Sequence, residues 1–151
     1  MAATPQFKNR AQQAGHQSLE QVRAKNKAAW LELFADDAIV ADPVGVSPLD
    51  PTGLGHRGKE AIGRFWDMVI EPGQLETHIR ESYPAGDECA NVATFIAHFP
   101  GGLKIPTDLV TVYRVDERED RLPQGILGYL EERRTARGRA GRKVNAIRRT
   151  P

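Results

Sequence analysis

Cysteine is nearly absent from this 151-residue chain, Cys89 being its single instance. One cysteine excludes a disulfide within the chain and any cluster of thiolate metal ligands. Its expected role is that of a small buried apolar residue. Long hydrophobic runs are also missing, and the opening stretch MAATPQFKNRAQQAG lacks the apolar segment of a signal peptide. Neither secretion nor a membrane span is therefore expected, and a cytoplasmic location follows. The four histidines show no paired ligand spacing, which gives no support for a metal site. No glycine-rich phosphate loop follows a strand pattern, and no serine sits in a nucleophile elbow.

Net charge is almost absent too, at +1, but the balance is uneven. Residues 1–131 hold 13 Lys plus Arg against 19 Asp plus Glu, a net of −6, whereas residues 132–151 hold 8 against 1, a net of +7. The tail ERRTARGRAGRKVNAIRRTP is basic, glycine-punctuated and poor in apolar residues, and it reads as disordered. No aromatic residue is interleaved there to stack on bases, so a solvated tail is favoured over a nucleic-acid partner. What remains, residues 1–131, has the length of one domain, and with 40% hydrophobic residues the chain can build a core.

The first expected helix is Leu19–Phe34, broken near Lys25–Lys27, with Leu19, Val22, Trp30, Leu31 and Phe34 available to a core. Ser18, three residues before Gln21, fits a capping box at its start. The pattern AIVAD, Ala38–Asp42, then reads as a short buried strand ending on an acid, bounded by Pro43 and Gly45. Alternation places Asp42 with Val40 and Ala38. Two readings follow: a cap for the Pro43–Gly45 turn, or an acid deprived of water, whose pKa rises toward the range useful for moving protons at neutral pH.

Residues 43–58 contain three prolines and four glycines and are expected to form a loop that ends in a solvated His56–Arg57 pair. Lys59–Ile70 reads as a helix, because Ile62, Phe65, Trp66 and Val69 recur at helical spacing and Pro72 with Gly73 stops it. Four strands follow, Leu75–Tyr83, Asn91–Phe99, Leu103–Val115 and Leu122–Glu131, with Pro123 marking an edge or bulge. Their short connections predict a mostly antiparallel sheet. In the third of them Asp108 shares a face with Val110 and Val112, opposite Leu109, Thr111 and Tyr113.

The segment FADDAIVADPVG, followed by a glycine-rich loop and GKEAIGRFWD, resembles the Δ5-3-ketosteroid isomerase family of the NTF2-like and SnoaL-like group. The resemblance is best from Trp30 to Trp66 and extends to about Glu131. It implies an α+β cone, with a curved, mostly antiparallel sheet packed against N-terminal helices. It also implies a homodimer, a small hydrophobic ligand such as a steroid, and no cofactor. The general base falls on Asp42. The Pro-x-Asp context Pro106–Asp108 resembles the family's acidic oxyanion donor, while aligning Tyr113–Val115 with the aromatic-Arg-aromatic segment moves that donor to Thr111. The family's helix tyrosine, another oxyanion donor, is replaced by Ser18. Candidate ligand contacts are Ser18, Val40, Phe65, Trp66 and Val110.

The implied reaction moves a C=C bond into conjugation with a ketone, 3-oxo-Δ5 to 3-oxo-Δ4, by intramolecular proton transfer. Loss of one oxyanion donor costs about 100- to 1,000-fold in kcat, so a slow isomerase is expected. A steroid- or lipid-binding protein without turnover is one alternative. An epoxide hydrolase- or polyketide cyclase-like enzyme is the other.

Overall fold

The computed structural model describes residues 6–115 and 124–131. The expected tail, residues 132–151, lies outside the described residues, as do Leu122 and Pro123. Helix α1 spans Arg10–Arg23 and α2 spans Lys27–Glu32. α1 starts nine residues before the expected Leu19, because Asn9 is the cap: its side chain accepts from the Gln12 backbone N–H at 2.8 Å. Ser18 therefore does not cap a helix. It lies within α1, fully buried.

The expected break falls at Lys25, whose φ of 56° places it in the left-handed region. Its ammonium group donates to the carbonyls of Ile70, Glu71 and Gly73, tying the break to the end of the second helical segment. That segment comprises α3, Gly58–Phe65, and a π-helical turn, Trp66–Ile70. The widened turn closes with the Glu71 N–H on the Trp66 carbonyl at 2.8 Å, while the Trp66 indole N–H reaches the Glu71 carboxylate at 2.8 Å.

Strand β1 is only Ile39–Val40, shorter than AIVAD, so Asp42 follows the strand and does not end it. β1 pairs antiparallel with β2, His56–Arg57, which emerges from the end of the expected loop and sets Val40 opposite His56. Gly55 permits this approach. Its φ is +84°, and a Cβ there would lie 2.5 Å from Ile39 Cγ2. The remaining strands, β3 Gln74–Ala85, β4 Glu88–His98, β5 Lys104–Arg114 and β6 Gln124–Glu131, form one antiparallel sheet in chain order. The sheet is curved and packs against helices, as expected. Trp30, Phe34, Val40, Ile62, Phe65 and Trp66 form the centre of the core.

The loop between β1 and β2 is held by Asp50. This buried carboxylate accepts from the Thr52 N–H and hydroxyl at 3.2 and 2.7 Å, and from the Gly55 N–H at 2.7 Å. The Thr52 hydroxyl is the main cause holding Asp50 below the usual carboxylate range. Asp50→Ala leaves those donors without their acceptor and is expected to destabilise the fold by about 1.5–3 kcal/mol in urea denaturation. A depressed carboxylate stabilises the fold above its unfolded pKa. The wild-type advantage over Asp50→Ala is therefore expected to be complete at neutral pH and to shrink as pH falls below the carboxylate range.

Candidate active site

The site is built where the β1–β2 pair meets the inner face of the main sheet beneath α1. Three strand pairs define that face: Cys89 opposite Tyr113, Asn91 opposite Thr111, and Ala93 opposite Leu109. All six side chains are buried. Strand alternation consequently puts Asp108 and Val110 on the other face. There Asp108 accepts from the Thr94 hydroxyl at 2.6 Å and lies 3.6 Å from Arg80. Asp108, expected as an oxyanion donor, and Val110, expected as a ligand contact, thus lie on the sheet face opposite Thr111 and Tyr113. Thr111, given by the alternative register, faces inward.

Asp42 is half-buried. Burial pushes its carboxyl above the usual carboxylate range, and nearby His56 offsets part of the rise. His56 is not a solvated residue, contrary to expectation. Its ring lies 5.1 Å from that of Phe65, and its Nε2 is buried with no hydrogen-bond partner among the described residues. The sequence signal available for it was the glycine before it, because Gly55 lets β2 reach β1 and carry His56 across from Val40.

Tyr113 is the second inward residue that sequence reasoning left without a role. Its ring packs on Gly15 of α1, where a Cβ would come within 2.7 Å of Tyr113 Cδ2. The phenol is completely buried, and burial raises its pKa far enough that it stays protonated at neutral pH. The Ser18 and Thr111 hydroxyls stand beside the phenol oxygen and oppose that rise, whereas the Asp42 charge adds to it. At full hydrogen-bond geometry, however, that oxygen has no partner among the described residues.

Ser18 and Thr111 each have another donor to satisfy. Ser18 Oγ accepts from the Trp30 indole N–H at 2.9 Å, and Thr111 Oγ1 accepts from Asn91 Nδ2 at 3.4 Å. Asn91 Oδ1 in turn accepts from Ser82, whose hydroxyl accepts from Gln12 at 2.9 Å. Val40, Phe65 and Trp66 are all buried beside the site as parts of the core. Asp42, His56, Tyr113, Ser18 and Thr111 are thus brought together, and Asp108 and Val110 are not.

A SnoaL-like domain model matches residues 16–122. Rv0760c from Mycobacterium tuberculosis, solved in complex with estradiol-17β-hemisuccinate, is 33% identical, with 81% of this chain and 94% of that one covered and a TM-score of 0.74. A Δ5-3-ketosteroid isomerase from Mycobacterium sp. is 31% identical over 80% of this chain and 92% of that one, with a TM-score of 0.74. A computationally designed 17-OHP binder is 32% identical over 81% of this chain and 92% of that one, also with a TM-score of 0.74. No curated protein matches the sequence. The match to more than two thirds of the chain, together with the shared helices and curved antiparallel sheet, makes this protein a member of the SnoaL-like family with an NTF2-like fold.

Proposed function

We propose that this protein is a ketosteroid isomerase-like enzyme that moves a C=C bond of a 3-oxo-Δ5 steroid into conjugation with the ketone. One observation carries the reading: a half-buried acid following the core strand residue Val40, with its pKa raised by burial. Ionised Asp42 takes a proton from C4, giving a dienolate and a neutral carboxylic acid. Asp42 then returns the same proton to C6. Nothing is gained or lost overall, so the chemistry needs no cofactor. Desolvation helps the return step, because a carboxyl group with a raised pKa holds the proton long enough to deliver it and excludes exchange with bulk water.

The competing readings carry different requirements. An epoxide hydrolase arrangement wants a cation beside the acid, but Arg80 pairs with Asp108 on the other sheet face and Arg114 pairs with Asp87 and Glu88. Binding without turnover is favoured by a specific observation, the serine at the position of the family's helix tyrosine. Conjugation makes the distinction visible. Ultraviolet absorbance of 5-androstene-3,17-dione is expected to rise with wild-type protein faster than the spontaneous rate. No rise above that rate would leave steroid binding as the function of the site.

The expected homodimer belongs to the same proposal, with the apolar side chains exposed on the sheet, Ile79, Tyr83 and Ile105, available to a second copy. Among the described residues, no helix is long and apolar enough to cross a membrane. A cytoplasmic location remains part of the proposal.

A further inference from the structure

Two buried side-chain atoms among the described residues have no hydrogen-bond partner, His56 Nε2 and Tyr113 Oη; His56 acts on the Asp42 carboxyl, and the Asp42 charge in turn acts on the Tyr113 phenol. Native structures satisfy nearly every buried polar atom, so two exceptions at one acid call for a physical cause. For Tyr113 the surroundings supply one. Gly15 gives the ring room that any larger residue would take, in a helix interior where glycine is otherwise unfavourable. Ser18 and Thr111 each accept from a separate donor, which leaves their own hydroxyl protons available to the phenol oxygen. Donation into that oxygen polarises the phenol and makes its own O–H a stronger donor. Its proton has no acceptor among the described residues.

We infer that the Tyr113 hydroxyl is the oxyanion donor of this site, giving its hydrogen bond to the ligand's carbonyl oxygen and to the dienolate formed from it. The inference rests on the isomerase reading and deepens it. The tyrosine missing from α1 at position 18 is replaced by one from β5, whose ring packs against α1 in the room that Gly15 leaves. The ligand class is a planar hydrophobic ketone or a phenol, whose oxygen accepts the bond. Tyr113 is then a catalytic residue, whereas Ser18 and Thr111 are positioning residues that act through it.

Tyr113→Phe removes one buried oxygen that has no partner, so the thermal midpoint is expected to hold or to rise by about 2–4 °C. Over the same change, kcat on 5-androstene-3,17-dione is expected to fall about 100- to 1,000-fold with little change in KM. Binding provides a readout independent of turnover. Equilenin, a phenolic steroid, is expected to bind Tyr113→Phe about 10- to 100-fold more weakly than wild type. Its 3-deoxy analogue should bind both proteins alike.

Equal loss of the two probes would assign Tyr113 to packing and overturn the inference, as would a sharp drop in thermal midpoint or unchanged equilenin affinity. If wild type binds equilenin through Tyr113 but leaves the ketone unconverted, the donor assignment stands and the isomerase reading fails. If wild type turns the ketone over and Tyr113→Phe does so equally well, the isomerase reading stands and the donor assignment fails. Wild-type protein that binds neither probe overturns both.

Discussion

Asp42→Asn is expected to lower kcat for 5-androstene-3,17-dione by about 100- to 10,000-fold, the range associated with a positioned general base. The amide keeps the shape and much of the polarity of the carboxyl group but cannot accept a proton from carbon. KM should change little, because the base contributes to the transition state and not to holding the ketone. The same substitution is expected to stabilise the protein at neutral pH. Burial raises Asp42, so its folded pKa lies above the ordinary value of 3.8 and ionisation disfavours the folded state. The relative stability of wild type is complete below the unfolded pKa and is lost as pH rises through the folded pKa. The variant's advantage should therefore appear above the ordinary carboxylate range and be absent in acid.

Activity follows the opposite course, since the base works only when ionised. The acidic limb of kcat/KM is expected to have its midpoint above 3.8, and Asp42→Asn should have no such limb. A variant that keeps most of its activity would remove Asp42 from the mechanism. One that loses activity together with stability would show a structural role.

The partial burial of Asp42 was legible in the apolar run Ala38–Ala41 before it, whereas that pattern left its role open between a turn cap and a base, and the base comes from the resemblance alone. Phe65 and Trp66 were legible through helical spacing, and both are buried. Ser18 was misread as a cap because Ser-x-x-Gln is a local pattern, and the same geometry occurs earlier as Asn9-x-x-Gln12, where the helix begins. Competition between two caps is decided by burial and not by the pattern. Nothing local reveals that the Ser18 hydroxyl is needed by an indole twelve residues later.

On β5 both faces carry apolar residues, Val110 and Val112 on one, Leu109 and Tyr113 on the other, so period-two reading identifies the strand but not its inner side. That choice depends on contacts distant in sequence: Arg80 beside Asp108, and Gly15 beneath Tyr113. His56 was hidden for a different reason. It follows a stretch rich in proline and glycine, where no period exists, and its position comes from two-residue pairing with β1 and from Asp50 holding the Gly55 N–H.

Trp30→Ala is expected to destabilise the protein by about 3–5 kcal/mol, the usual range for a large buried aromatic truncated to alanine. Trp30 is fully buried, with its ring centroid 4.6 Å from Phe34 and 5.1 Å from Trp66, so it joins α2 to the wide turn after α3. Natural domains have only about 5–15 kcal/mol in total, which makes this loss a large fraction of the fold's stability. Ser18→Ala separates packing from hydrogen bonding: it keeps the indole but leaves its N–H buried without an acceptor, for an expected loss of about 1–3 kcal/mol. Both are read from urea midpoints at constant slope. A loss under about 1 kcal/mol for Trp30→Ala would mean that the surrounding rings close the cavity, and Trp30 would not be what fixes α1 against α2. The expected ordering, Trp30→Ala well below Ser18→Ala, connects the core to the site. Trp30 donates its indole proton to the Ser18 oxygen, which leaves the Ser18 hydroxyl proton available to the Tyr113 side.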